Sequence, residues 1–346
     1  MRTRRPVNVG IVGLGRAGWL MHVPELRAHK GFRIAAACDV IEDRPKAAAR
    51  EFGTRPYTDH KDLIGDPDVE LVVVATRSDT HARVTVDALR AGKHVLVEKP
   101  MAVTLRQADR MIEAADRAGR HLLVRQNRRF DPDFLFIRDV MRSGLLGRVF
   151  YIRLCRHGYN RRCDWQTLTR FGGGQLNNWG PHIIDHALQF LGGRPVGLWS
   201  DLCRVAAAGD ANDHVKVVMK GKTGLVVDLE ISGGVAIGEP PYRVMGTLGT
   251  LTCDGQTATI RHLDPKKLSS VKANPGTPSW AEGWGNPEQL PWQEMTCPAK
   301  PRATPPAFYE RVYRTLRLGR PFLITLDEAR NVMWVIERAR KGWRRA

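Results

Sequence analysis

Long apolar runs are missing from this 346-residue chain. No stretch of about 18 apolar residues is present to span a bilayer, and Arg4-Arg5 leads at once into the strand-like VNVGIVG, without a signal-type apolar region. A cytoplasmic protein with no membrane partner is expected. Cysteine is also scarce. The six residues Cys38, Cys155, Cys163, Cys203, Cys253 and Cys297 are scattered, without CxxC pairs or histidines at zinc-like spacing. They suggest neither a disulfide framework nor a metal site, and read as reduced, mostly packed thiols. Acidic residues are in deficit, 36 against 54 lysines and arginines, which leaves a formal charge of +18. That excess suits either nucleic acid or small ligands bearing phosphate and carboxylate. The arginines are spread along the chain apart from the RTRR start and the RARKGWRRA end, and no nucleic-acid module accompanies them. A nucleic-acid partner is therefore not expected.

What the chain does contain is two different rhythms. Between residues 7 and 125 the β-rich runs VNVGIVG, FRIAAACDV, VELVVVATR, HVLVEKP and HLLVRQN alternate with helical patterns, which predicts a parallel, doubly wound sheet. After about residue 148 the runs VFYIRLCRHG, HVKVVMKG, GLVVDLEISGG, YRVMGTLGTLTCDG and TATIRHL are separated by short Gly- and Asp-containing turns. This half is predicted to be α/β with an open, mainly antiparallel sheet. A helix over 181–191 interrupts it, and two more, roughly 306–318 and 327–341, close the chain. The expected division is a dinucleotide-binding domain over 1–127 and a substrate and oligomerisation domain over 128–346. Within the latter, the Pro- and Trp-rich stretch 264–306 reads as an ordered surface arm, neither helix nor regular strand.

VNVGIVGLGRAGWLMHVPEL carries Gly13, Gly15 and Gly18 as GxGxxG between a strand and a helix. Gly13 permits the tight turn, Gly15 lets the backbone approach a pyrophosphate, and Gly18 allows close packing, with the helix N-terminus offering N–H groups to the anion. Asp39 ends the second strand, where a carboxylate can hydrogen-bond an adenosine ribose and repel a 2′-phosphate. NAD is the expected cofactor. Arg44 nearby keeps NADP possible.

At the other end of the cofactor, HVLVEKPM places Glu98-Lys99-Pro100 at the carboxyl end of a buried strand, the edge where open α/β sheets bind ligands. A lysine there can orient a reacting hydroxyl and stabilise alkoxide character. In GGGQLNNWGPHIIDHALQFLGG, residues 172–193, Pro181 suits the first helical position, which makes Gly180 the expected N-cap and puts His182 in the first turn. The helix dipole then disfavours an imidazolium, so His182 is expected to be neutral and able to accept a proton. Asn178 is expected in the approach to the helix. The glycines at 172–174 are expected to let that approach pass close to a ligand.

Taken together, GLGRAG, Asp39, EKP at 98–100, NRRFDP at 127–132 and GGGQLNNWGPHIID at 172–185 resemble the Gfo/Idh/MocA family of NAD(P)-dependent oxidoreductases, over nearly the whole chain. The resemblance implies an N-terminal Rossmann domain, a C-terminal α/β domain and hydride transfer at a sugar or polyol carbon. It also implies a cis Lys99-Pro100 bond and a homo-oligomer, dimer or tetramer. The family's EKP lysine and DxGxH pair fall on Lys99, Asn178 and His182 as catalytic candidates. Here the family aspartate is replaced by an amide, since the motif reads NWGPH. Asp185, one turn beyond His182, belongs to the same pattern and is a candidate substrate contact. By the same resemblance Arg16 and Ala17 in GLGRAG, Thr76 and His81 in ATRSDTHA, Glu98 and Asn127 join the cofactor candidates. Arg128 and Trp165 join the substrate candidates, with Arg129 read as a surface residue. In RHGYNRRCDWQTLTRFGGG, the residues Tyr159, Arg161, Arg162, Asp164 and Arg170 lie where further substrate contacts are expected. The leading reading is an NAD(P)-dependent dehydrogenase or reductase of a sugar, sugar acid, polyol or glycoside. A dinucleotide- or sugar-sensing protein of the same fold without turnover is the alternative.

Overall fold

The computed structural model describes residues 5–273, 275–277, 288–304 and 306–343. The first sheet contains β1 (Val7–Val12), β2 (Phe32–Cys38), β3 (Arg55–Tyr57), β4 (Leu71–Val74), β5 (His94–Val97) and β6 (Leu122–Val124). Their order is β3-β2-β1-β4-β5-β6, parallel throughout, so the order reverses between β1 and β4. Strands β1 and β4 are buried along their whole length, as expected of a parallel sheet with helices on both faces. Strand β3 is too short and too exposed, at RPY, to show in the sequence pattern. The helix after the glycine loop opens with a π-helical turn, Gly18–His22, before continuing as an α-helix over Val23–Arg27. Helix Leu105–Ala118 is bounded by local chemistry. Thr104 and Gln107 form a reciprocal capping box at its start, and Gly119 takes a left-handed conformation at its end.

The second sheet adds β7 (Val149–His157), β8 (Gly197–Cys203), β9 (His214–Lys220), β10 (Val226–Ser232), β11 (Tyr242–Gly246), β12 (Gly249–Cys253), β13 (Thr257–Leu263) and β14 (Trp292–Pro298). Its order is β14-β13-β12-β11-β7-β10-β9-β8. Every pair is antiparallel except β7 with β10, so the sheet is mixed through one central parallel pairing. One face buries Val215, Val217 and Met219 in the core that includes Ile184, Ala187 and Leu188 of helix Gly180–Leu191 and Val332 and Ile336 of helix Leu326–Ala339. The opposite face is polar, with Lys216 and Arg153 bridging Asp228 and Glu230.

Two expectations change. Part of the 264–306 stretch is a regular strand: β14 pairs antiparallel with β13 from Thr257–Pro298 to Leu263–Trp292. Pro291 directly precedes β14 and Pro298 ends it, positions an edge strand tolerates, so composition hid the strand. Trp280 and Trp284 of the arm lie outside the described residues. Helix Phe308–Leu318 falls in the chain's second half but packs on the first sheet. Phe308, Tyr309 and Val312 share a core with Val7, Val9, Ile11 and Leu71. Among the described residues no helix is long and apolar enough to cross a membrane.

Candidate active site

Sheet register assembles the site. Val12 lies opposite both Cys38 and Val74, Val74 opposite Val97, and Val97 opposite Val124. The residues that follow these aligned strand ends, Gly13, Asp39, Thr76, Glu98-Lys99 and Asn127, therefore emerge along one edge. That edge forms one wall of a cleft of about 1220 Å³ whose other wall is the segment 162–182.

The glycine loop divides its work as its residue types require. Gly13 has φ 99°, and a Cβ there would lie 2.6 Å from the Ala75 main chain. A Cβ on Gly18 would strike the Gly13 carbonyl, so Gly18 packs behind the loop and does not line the cleft. Gly15 lines the cleft with no atom within 4 Å of a would-be Cβ, leaving its backbone open to an anion. Asp39 is buried. Its Oδ2 accepts from Leu14 N at 2.8 Å, its Oδ1 accepts from Ile41 N at 3.0 Å, and Arg44 Nη1 lies 3.2 Å from Oδ2. The carboxylate thus braces the glycine loop as well as facing the cleft. An open glycine backbone beside a buried carboxylate at the end of β2 fits a dinucleotide.

At the other end, the Lys99-Pro100 bond is cis, and the Pro100 carbonyl lies 2.7 Å from His81 Nδ1. His81 Nε2 also lies 3.1 Å from the Thr76 carbonyl, so this histidine sits between two strand ends beneath the cleft, able as a neutral ring to donate to one of the two carbonyls. Lys99 Nζ donates to the Asn178 main-chain carbonyl at 2.8 Å, with Asn178 Oδ1 at 3.5 Å. That Oδ1 accepts from Gln166 Nε2 at 3.3 Å. Burial pushes the Lys99 ammonium down to about 8, with Arg128 and Arg162 adding to the effect against Glu98. His182 lines the same cleft, buried to 6 % exposure, and its Nδ1 has no hydrogen-bond partner. Burial, then the Lys99 and Arg128 cations, hold its basicity well below the usual histidine value.

His182 is neutral for a different reason from the one expected. Helix Gln175–Asn178 runs almost directly into helix Gly180–Leu191, with Trp179 N bonded to Gln175 O and Ile183 N to Trp179 O. Trp179 in helical conformation, rather than Gly180, occupies the cap position, and Asn178 ends a helical turn instead of lying in an irregular approach. The free helix end is at Gln175, so desolvation and neighbouring cations, not a dipole, set the state of His182. The glycines at 172–174 also answer to the protein rather than to a ligand. Gly172 and Gly174 have φ 70° and 99°, and a Cβ on Gly173 would lie 2.6 Å from the Gln166 carbonyl.

Gly13, Gly15, Arg16, Ala17, Asp39, Thr76, His81, Glu98, Lys99, Asn127, Arg128, Trp165, Asn178 and His182 all line the cleft. Asp185 does not. It pairs with Arg129, Nε to Oδ2 at 2.9 Å, and Arg129 Nη1 reaches Glu328 at 2.8 Å. Both Arg129 and Asp185 are buried, so Arg129 is a core ion-pair partner rather than a surface residue, and Asp185 has no route to substrate. Tyr159, Arg161 and Arg170 lie outside the cleft lining, whereas Arg162 and Asp164 belong to it. Asp164 closes the cleft across its mouth: Arg16 Nη2 of the glycine loop bonds its Oδ2 at 2.6 Å and Arg162 Nε its Oδ1 at 2.9 Å.

Some of the surroundings had no sequence signal. Glu98 turns away from substrate chemistry into a buried network. Its Oε1 meets His22 Nε2 at 3.0 Å and Arg125 Nε at 3.1 Å, His22 Nδ1 meets Tyr309 Oη at 2.6 Å, and Arg125 Nη2 reaches Glu25 at 2.5 Å. Burial opposes the Glu98 charge, but the His22 hydrogen bond with the Arg125 and Lys99 cations holds its carboxyl down at about 2. His22 is kept neutral by burial. Trp179 and Gln166 also line the cleft. Trp179 was readable from its place between Asn178 and His182, whereas Tyr309 lies 287 residues from His22. Among the described residues no group of three His, Cys, Asp or Glu side chains is placed to hold a metal.

Comparison with known proteins places these features. Residues 7–126 match the model of an oxidoreductase family with an NAD-binding Rossmann fold, and residues 134–252 match the GFO/IDH/MocA C-terminal domain. Inositol 2-dehydrogenase 2 of Saccharopolyspora erythraea is 34% identical over 71% of this chain and 73% of its own. The uncharacterized oxidoreductase YdgJ of Escherichia coli is 33% identical over 62% of this chain, and the match spans 61% of YdgJ. The crystal structure of an NAD-binding protein from Listeria innocua superposes with a TM-score of 0.86 at 25% identity, covering 98% of this chain and 97% of that one. Sequence, register and cleft agree: the chain belongs to the Gfo/Idh/MocA family of oxidoreductases, with an NAD-binding Rossmann fold at its N-terminal end.

Proposed function

We propose that the protein is an NAD(P)-dependent dehydrogenase or reductase acting on a CH–OH group of a polyhydroxylated, sugar-like small molecule. The observation that carries the reading is the meeting of Lys99, Asn178 and His182 in the cleft that the open glycine loop also lines. Similarity to an inositol dehydrogenase supports a hydroxylated ring as substrate.

Bound nicotinamide supplies the hydride acceptor or donor, and the protein's own part is the proton. Gly15 and the loop around it would hold the pyrophosphate, Asp39 would take the adenosine ribose, and Arg44 beside it would be the group able to meet a 2′-phosphate. Of the two candidates for proton transfer, Lys99 is the better matched. At about 8 its amine is close to working pH and can take the hydroxyl proton in oxidation or return it in reduction. His182, expected from sequence to be the base, is too weakly basic in this setting; as a neutral ring it orients the hydroxyl by hydrogen bonding. Asn178 fixes Lys99 through its carbonyl. The reading without turnover has no comparable observation in its favour.

Initial-rate absorbance at the nicotinamide band, with NAD and NADP over a panel of aldoses, cyclitols and sugar acids, tests this. Turnover lost in Lys99→Met supports it. A panel-wide lack of turnover in a protein that binds NAD counts against it. We also propose self-association across the polar face of the second sheet, where Trp199 is exposed beside the Arg153–Asp228–Lys216 network. Sedimentation at micromolar concentration reads this directly, and a strict monomer overturns it.

A further inference from the structure

We propose that Glu98 is a positioning residue for proton transfer at Lys99: from behind the lysine, its carboxylate anchors the main chain and supplies the negative charge that the cleft side lacks. This role rests on the dehydrogenase reading, with Lys99 as the group that moves the proton. On the cleft side the Lys99 ammonium meets neutral acceptors, the Asn178 carbonyl at 2.8 Å and its Oδ1 at 3.5 Å. Among the described residues no carboxylate lies within ion-pair distance of it. The cations nearby are matched elsewhere, Arg128 after β6 with Asp131 and Arg162 after β7 with Asp164. His81, from the helix after β4, and His182 are kept neutral, chiefly by burial.

Behind the lysine the balance is reversed. Glu98 is buried, and its Oε2 accepts from the Lys99 main-chain N–H at 3.1 Å. Its Oε1 faces His22 Nε2 at 3.0 Å and Arg125 Nε at 3.1 Å. A neutral ring beside an ionised carboxylate carries its proton on the nitrogen that faces it, so His22 Nε2 donates to Glu98. The other nitrogen, Nδ1, then accepts from the Tyr309 hydroxyl at 2.6 Å. His22 therefore adds no charge. Arg125 is shared between Glu98 and Glu25, whose Oε1 lies 2.5 Å from Arg125 Nη2. Two carboxylates face one guanidinium, which leaves the network one negative charge in excess. Buried charge is screened little by water or salt, so that excess acts on the ammonium of the adjoining residue. Burial, Arg128 and Arg162 all lower the Lys99 pKa, and Glu98 opposes them.

The experiment follows the rising limb of the pH–rate profile for oxidation, with NAD and the fastest substrate of the aldose, cyclitol and sugar-acid panel. Glu98→Gln should move the limb by about one unit towards acid pH, because the ammonium loses its supporting charge. Glu98→Asp, which keeps the charge, should leave most of the limb's position intact. Asn178→Asp places a carboxylate on the opposite side of the lysine, so the double variant Glu98→Gln/Asn178→Asp should return the limb towards its original place. Tyr309→Phe removes a hydrogen bond from the same network without removing charge; it should lower the melting temperature and leave the limb where it was. A limb unmoved by Glu98→Gln, or moved as far by Tyr309→Phe, overturns the role. Coupling between two titrating groups is mutual, so Lys99→Met tests it without altering Glu98. There the Glu98 carboxyl loses a cation that holds it near 2, and the acid loss of stability should be smaller and level off at higher pH than in the wild type. Superimposable melts against pH for Lys99→Met and wild type also overturn the role. A protein that turns over nothing on the panel fails the dehydrogenase reading, while the melts, read without substrate, still decide the coupling.

Discussion

Lys99 Nζ is held by the main-chain carbonyl of Asn178 at 2.8 Å, closer than the amide oxygen of the same residue at 3.5 Å. A carbonyl of the backbone is present whatever side chain occupies position 178. The amide in place of a carboxylate therefore alters charge at the site more than it alters the placement of the lysine.

Asn178→Asp is accordingly expected to fold normally and to move the pH–rate profile. A carboxylate at this distance favours the charged forms of both Lys99 and His182 and raises both pKa values, by about one unit or more for a close pair. If the neutral Lys99 amine accepts the proton in oxidation, the rising limb shifts to more alkaline pH. An unmoved limb would assign the titration to another group.

Lys99→Met should lower turnover by about 100- to 10,000-fold while NAD affinity stays within a few-fold. His182→Ala should also lose most turnover. The two differ in pH dependence, because the limb near 8 belongs to Lys99 and persists in the residual activity of the His182 variant. Loss of that limb in His182→Ala, with its survival in Lys99→Met, would return the proton to the histidine.

Asp39→Ser should weaken NAD selectivity and also lower the melting temperature. The carboxylate lines the cleft, but it also accepts from Leu14 N and Ile41 N, so its removal loosens the glycine loop. Arg44 is then free to meet a 2′-phosphate. Steady-state kinetics with both cofactors checks the first effect and thermal melts the second.

Asp164→Asn should speed cofactor release. The Arg16–Asp164 pair is half-exposed and contributes little to global stability, yet it joins the glycine loop to the segment facing it across the cleft. Stopped-flow displacement of NADH should show a several-fold faster off-rate with an unchanged melting temperature.

Acidification should destabilise the fold in two stages. His22, His81, His182 and His186 are buried with lowered pKa values, so the unfolded chain binds protons first and stability begins to fall below about 6.5. Glu98, held at about 2, contributes stability that is present above its ordinary value of 4.5 and is lost as the pH falls towards 2. Melts against pH for the wild type and Glu98→Gln check the second stage, which should be diminished in the variant.

The gathering of the glycine loop, Asp39 and Lys99 along one edge of the cleft was legible in the sequence because their placement is local. A GxGxxG turn needs its glycines at fixed offsets, a buried parallel strand shows as an apolar run, and residues directly after such runs must emerge at one edge once the strands align in register. Asp39 and Lys99 are placed by that logic alone. The pairings that decide what the cleft can do lie far apart in the chain and leave no periodic trace. Asp185 was drawn into the site by the family pattern it resembles, but only the packed structure shows Arg129 closing on it and reaching Glu328. Arg16 meets Asp164 across 148 residues and Tyr309 meets His22 across 287, contacts set by which faces the helices bury. The neutral state of His182 was anticipated from a helix end that turned out to be continuous with another helix. Sequence alone thus determined which residues gather at the strand ends, through local spacing and burial. Tertiary packing decided the electrostatics, because desolvation and charge act through space and not along the chain.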